Sequence, residues 1–122
     1  MSKTCLIVDD SRVVRAVARR IIVDLGFESA EAADGRAALD VCMASMPDAI
    51  LLDWNMPVMG GIEFLRALRR LPDGGAPKVV FCTTENTMEQ MEEALAAGAD
   101  EFIMKPFDGS IVEAKFSMIG LL

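Results

Sequence analysis

The stretch Ala49-Ile50-Leu51-Leu52-Asp53-Trp54-Asn55-Met56-Pro57 constrains this chain more than any other. Four apolar residues run unbroken into an aspartate, with Pro47 before them and Pro57 after. Such a run reads as a strand covered on both faces, the kind found in parallel sheets flanked by helices. Asp53 then sits where the strand leaves the core. Open parallel sheets bind ligands outside the carboxyl ends of their strands. A strand-ending aspartate is also a common turn former, so Asp53 alone does not decide between a site and a turn.

The rest of the chain repeats the arrangement. Cys5-Leu6-Ile7-Val8 is a second buried run, and it too ends in acids, Asp9-Asp10. Ser11 offers an N-cap. Val14, Val17, Ala18, Ile21, Ile22 and Leu25 recur at spacings of three and four, which predicts a helix over about 12–25. Arg12, Arg15 and Arg19 fall on its outer face, and Gly26 ends it. Residues 27–32 make a weaker strand. Asp34 caps a second helix that turns Ala38, Leu39, Cys42 and Met46 inward, with Pro47 as its stop. After the Asp53 strand, Met59-Gly60-Gly61 gives a flexible turn into a helix with Ile62, Leu65 and Leu68 on one face. Residues 72–77 form a loop. Residues 79–82 form a strand ending at Thr83-Thr84-Glu85. Thr87 and Gln90 suit a capping box for a helix with Met88, Met91 and Leu95 inside. A strand over 101–104 leads to Lys105-Pro106-Phe107, and a last helix spans about 109–119.

Five strands alternating with five helices predict an α/β fold, a doubly wound parallel sheet with right-handed crossovers. A chain of 122 residues fits one domain, 1–122, with no output domain attached. The net charge of −7 supplies no basic footprint for nucleic acid. Histidine is absent, which argues against zinc sites built on histidine and against serine–histidine chemistry. Cys5, Cys42 and Cys82 lie inside apolar runs, an odd count without metal-ligand spacing, as expected of reduced thiols in a cytoplasmic protein. The four-residue apolar run after Met1-Ser2-Lys3-Thr4 is too short for a signal peptide or a membrane span. The nine methionines read as core filler on helix inner faces and at strand ends.

The strand ends carry the chemistry: Asp9-Asp10, Asp53, Thr83-Thr84 and Lys105-Pro106. With strands in the order 2-1-3-4-5, the first, third, fourth and fifth are neighbours. Three carboxylates, a hydroxyl and an ammonium then share one rim. Crowded carboxylates invite a hard dication, and magnesium takes oxygen ligands and completes its shell with waters and phosphate oxygens. Lys105 and Thr83 would donate to the remaining phosphoryl oxygens. An ion pair between Lys105 and one of the acids is the plainer alternative.

In that order and spacing these residues resemble a response-regulator receiver domain, the CheY-like family. Leu52-Asp53-Trp54-Asn55-Met56-Pro57, Gly60-Gly61 and Lys105-Pro106-Phe107 carry the resemblance, which extends from about Thr4 to Ile119 and is greatest to stand-alone chemotaxis-type regulators. The resemblance implies the five-stranded order 2-1-3-4-5. It implies Asp53 as phosphoacceptor, and magnesium held by Asp10, Asp53 and the Asn55 carbonyl, with Asp9 acting through a water. It further implies Thr83 as the switch hydroxyl, Lys105 as the phosphoryl-binding ammonium, and a cis Lys105–Pro106 bond. Asn55 and Glu85 would tune dephosphorylation. The aromatic switch position is Phe102, where chemotaxis regulators often carry tyrosine, so no phenolic hydrogen bond is open to it.

The expected function is a phosphorylation-activated switch rather than an enzyme, a monomer served by a histidine kinase or phosphotransfer protein. Its target is another protein, the flagellar motor switch being one candidate, and neither nucleic acid nor membrane is a partner. The readout surface would be the fourth helix, fifth strand and fifth helix. Glu85, Glu89, Glu92 and Glu93 make part of that surface acidic or are an ordinary solvated face. A phosphate sink or relay intermediate is the alternative within the class. An aspartyl-phosphate phosphatase would place an aspartate where Asn55 stands, and a flavodoxin-type carrier would not place Asp9-Asp10 against a phosphate.

Overall fold

In the computed structural model, which describes residues 3–85 and 87–122, strands and helices alternate throughout. Met1 and Ser2, read above as part of a start without a signal segment, lie outside the described residues. The elements are β1 (Thr4–Val8), α1 (Arg12–Asp24), β2 (Glu28–Ala32), α2 (Gly35–Ala44), β3 (Ala49–Asp53), α3 (Gly61–Arg69), β4 (Lys78–Thr83), α4 (Met88–Ala97), β5 (Glu101–Met104) and α5 (Gly109–Met118). The sheet is parallel with order β2-β1-β3-β4-β5, which is the doubly wound order expected. No helix among the described residues is long and apolar enough to cross a membrane.

The central strands are buried on both faces, because alternate side chains feed two separate cores. Cys5, Ile7, Leu51, Val80, Cys82 and Ile103 pack with Ala18 and Ile22 of α1 and Val112 and Phe116 of α5. Leu6, Val8, Ile50, Leu52, Val79 and Phe81 pack with residues of α2, α3 and α4. The three thiols are buried and free, and burial pushes Cys42 up to about 11 and Cys82 up to about 12. Ser11, Asp34 and Thr87 act as the caps expected, each accepting a hydrogen bond from a backbone N–H in the first turn of its helix, and Asp108, not singled out in the sequence, does the same for α5. The reciprocal half of the Thr87/Gln90 capping box is not formed: Gln90 Oε1 is buried without a hydrogen-bond partner. Gly26 and Gly98 close α1 and α4 with φ of 96° and 110°.

Five expectations are corrected. Val17 is exposed rather than inward, and with Val14, Pro106 and Phe107 it lines an apolar recess of ≈340 Å³. Arg15 is not on the outer face: its guanidinium folds back onto the Asp9 carbonyl and Glu31. In α4, Met88 and Leu95 face solvent, and the buried residue is Ala94. Several methionines, Met43, Met88 and Met118 among them, are exposed, so they are not all core filler. The Gly60-Gly61 turn is dictated by space rather than flexibility, since a Cβ on Gly61 would run into the Asp53 carbonyl and the Phe81 ring. Just before it, Val58 holds φ at 67°, a strained setting for a β-branched residue.

Candidate functional site

Sheet register decides which groups meet. Ile7 lies opposite Leu51 and Val8 opposite Leu52, so Asp9, just past β1, and Asp53, the last residue of β3, come side by side. Strand alternation sends both carboxylates toward the α1/α5 layer, with Cys5, Ile7 and Leu51. Cys82 pairs with Ile103, two residues before Lys105, so the lysine leaves β5 with the same facing. Thr83, Trp54 and Phe102 have the opposite parity. Trp54 accordingly packs on Phe81, ring centroids 4.9 Å apart, away from the Asp53 side chain.

The result is a compact charged cluster. Lys105 Nζ donates to Asp9 Oδ2 at 2.7 Å and to Asp53 Oδ1 at 2.8 Å. The other Asp9 oxygen, Oδ1, accepts the Ser11 N–H at 2.8 Å. Asp9 and Asp53 are buried, while Asp10 is exposed beside them. One oxygen from each of Asp9, Asp10 and Asp53 lies within 4.8 Å of the others. Three carboxylates share one ammonium, so negative charge is in excess. Burial lifts the Asp53 pKa above the usual carboxylate range; the Lys105 hydrogen bond opposes this, and the charge of Asp9 adds to it. For Lys105, burial pulls the pKa down, but the bonds to Asp53 and Asp9 outweigh it and hold the ammonium above its ordinary value. An all-oxygen donor set with excess negative charge fits a hard dication such as magnesium.

The neighbouring strand end is built differently. Thr83 Oγ1 donates to the Glu85 carbonyl at 2.7 Å and accepts the Glu85 N–H at 3.1 Å, so the hydroxyl is engaged with its own turn. The Lys105 N–H donates to the Thr83 carbonyl at 2.8 Å, tying the two strand ends together through the backbone. The Lys105–Pro106 peptide is cis. Phe102 is half-buried against the α2/α3/α4 core. Asn55 and Glu85 lie exposed on the loops that follow β3 and β4. Of the residues picked out in the sequence, Asp9, Asp10, Asp53 and Lys105 therefore form one cluster. The side chains of Thr83, Phe102, Asn55 and Glu85 make no hydrogen bond to it among the described residues.

Two residues were missed. Arg15 donates from Nη1 to the Asp9 carbonyl at 2.7 Å, and its Nε donates to Glu31 Oε1 at 3.2 Å. No sequence signal singles them out: helical spacing groups Arg15 with Arg12 and Arg19, and Glu31 reads as an edge-strand residue.

Comparison with known proteins gives one family. The response regulator receiver domain model matches residues 5–116. Among curated proteins, the chain is 37% identical over 115 residues to the chemotaxis protein CheY of Pseudomonas aeruginosa, covering 93% of each chain. It is 36% identical over 116 residues to the CheY of Thermotoga maritima, covering 93% of this chain and 95% of that one. Among solved structures, Vibrio cholerae CheY4 superimposes with a TM-score of 0.93 at 34% identity, over 98% of this chain and 99% of the other.

Proposed function

The chain belongs to the response regulator receiver domain family, and from that premise we propose that it is a phosphorylation-activated switch that accepts a phosphoryl group on Asp53. The supporting observation is the Lys105 ammonium shared between Asp9 and Asp53, 2.7 and 2.8 Å away, at the carboxyl end of β1, β3 and β5. Asp53 is held rigidly at a strand end, and Lys105 is positioned to receive charge that arrives on it. A carboxylate oxygen of Asp53 attacks the phosphorus of a donor phosphohistidine. The new O–P bond forms as the P–N bond breaks, and that bond's electron pair stays on the imidazole nitrogen.

Asp10, Asp53 and the Asn55 carbonyl would hold magnesium, with Asp9 acting through a water. Bound there, the ion would supply positive charge to offset the crowded carboxylates and the phosphoryl oxygens. Lys105 contributes the other positive charge, and its grip on Asp9 and Asp53 is what the incoming phosphoryl group must rearrange. Thr83 would exchange its bonds to Glu85 for one to the phosphoryl group, shifting an equilibrium between two forms of the α4–β5–α5 surface. Phe102 would follow by changing rotamer, without a hydroxyl to offer a partner.

The donor is a histidine kinase or phosphotransfer protein, and the acceptor of the signal is another protein. The relatives named above are chemotaxis proteins, which favours a motility pathway, with a flagellar motor switch as target, over a phosphate sink. We place the protein in the cytoplasm as a monomer. The test is incubation with acetyl phosphate and magnesium, followed by intact-mass spectrometry. The wild type gains one phosphoryl mass and Asp53→Asn gains none. Exchanging the side chains of Asn55 and Glu85 changes the adduct's half-life. An acid-labile adduct at wild-type level on Asp53→Asn would remove Asp53 from the role.

A further inference from the structure

The peptide that joins Asp9 to Asp10 is gripped from outside the acid cluster. The Asp9 N–H donates to the Ala32 carbonyl at 3.1 Å, and its carboxylate is held by Ser11 and Lys105. Its carbonyl, pointing the other way, accepts Arg15 Nη1 at 2.7 Å. Arg15 is in turn held by Glu31, one residue before Ala32 on the same edge strand, with the two side chains 17% and 36% exposed. Every polar group of Asp9 is thereby fixed.

The Asp9 carbonyl and the Asp10 N–H belong to one rigid plane. Fixing the direction of that carbonyl fixes the plane, and with it the direction in which Asp10 leaves the strand. Asp10 needs such help. It is exposed, so packing does not aim it, yet its carboxylate lies within 4.8 Å of Asp9 and Asp53 oxygens.

We propose that Arg15, oriented by Glu31, is a positioning residue: it holds the Asp9–Asp10 peptide plane so that three carboxylates present a preformed oxygen set to a divalent cation. The inference rests on reading the cluster as a magnesium site. It makes a prediction opposite in sign to simple electrostatics. A guanidinium beside a dication site repels the dication, so removing its charge should tighten binding. Removing a positioning group should weaken it, as the loss of an outer partner to a metal ligand does.

The experiment is calorimetric titration of magnesium into wild type, Arg15→Gln, Arg15→Lys and Glu31→Gln, at a temperature where melting curves in chelator show each folded. Arg15→Gln binds about tenfold more weakly. Arg15→Lys keeps the charge but loses the fork that spans the Asp9 carbonyl and Glu31, and it does not recover wild-type affinity. Glu31→Gln, whose amide oxygen still accepts from Arg15, loses least, and adding Arg15→Gln to it costs less than the sum. Affinity in Arg15→Gln equal to or tighter than wild type overturns the proposal, as does a lower melting temperature with unchanged affinity. Should Arg15→Gln not fold, Arg15→Lys decides by the same comparison. Absence of magnesium binding in the wild type sinks the metal reading and this inference with it; normal wild-type binding with unaffected variants sinks only the inference.

Discussion

The two sides of the rim differ in how completely they are built. Toward α1 and α5, Asp9, Asp53 and Lys105 are buried or nearly so and locked by bonds of 2.7 and 2.8 Å. The helix beneath that side, α1, buries Ala18 and Ile22 fully. Toward α4, the Thr83 hydroxyl is occupied by its own turn, Thr84 and Glu85 are exposed, and α4 buries only Ala94. Burial and satisfied hydrogen bonds make the first side rigid. Few buried contacts leave the second near the low end of local stability. A chemical centre needs fixed geometry, whereas a surface that must have two arrangements needs a small difference between them. On the proposed function, one rim would supply both, because alternate residues on the same strands face different helix layers.

Truncation should expose the contrast most strongly. Ile22→Ala, fully buried on α1, should cost about 2–4 kcal/mol. Leu95→Ala, half exposed on α4, should change stability by less than about 0.5 kcal/mol. Urea unfolding of both variants measures the difference, and equal losses would erase the distinction between the two layers.

Lys105→Ala strikes the rigid side directly. It leaves two buried carboxylates without their ammonium. Because the cluster opens to solvent through Asp10, the expected loss is about 2 kcal/mol in chelator rather than the full cost of a closed site. Magnesium should restore much of it, and the variant should still take up phosphoryl groups while failing to pass the signal to a partner. Phosphorylation-dependent binding as tight as wild type would contradict the role given to Lys105.

The smallest effect belongs to Thr83→Ala. It removes a hydroxyl and a methyl from a buried residue at the end of β4 while the backbone remains, so unfolding should shift by about 1–1.5 kcal/mol. Magnesium affinity should be unchanged, and response to phosphorylation should be lost. A magnesium midpoint that moves as far as in Lys105→Ala would mean the two sides are one unit.

The sequence exposed the α1/α5 side of the rim better than the α4 side. Unbroken apolar runs ending in charged residues are visible without a structure, because strands covered on both faces leave no other pattern. The strand order came from family resemblance, and the site assignments depend on it. The α4 error has a physical origin. Met88, Met91 and Leu95 have helical spacing, but the helix approaches the sheet through small residues, Ala94 and Ala97, and turns larger ones outward. Arg15 was illegible for a different reason. What pulls it inward is a backbone carbonyl, and carbonyls have no letter in a sequence.

Arg69 reaches from α3 to the far end of the molecule. Its guanidinium donates to the Gly98 carbonyl at 2.6 and 3.2 Å, to the Gly74 and Pro77 carbonyls at 2.9 Å each, and to Asp100 at 3.2 Å. Gly98 is the residue that closes α4. The helix is thus riveted at its tail, while its head begins a few residues beyond Thr83. Ten residues make a rod about 15 Å long. With one end pinned, a sideways displacement of about 1 Å at the Thr83 end is a tilt of only about 4° for a rod of that length. On the proposed function, the helix would act as a lever with its fulcrum at Gly98, its outward-facing side chains sweeping in proportion to their distance from that pivot. Met88, at the head, would travel furthest and Leu95, three residues from the pivot, about a third as far, so a partner that gripped the head of α4 would read the stroke at its longest.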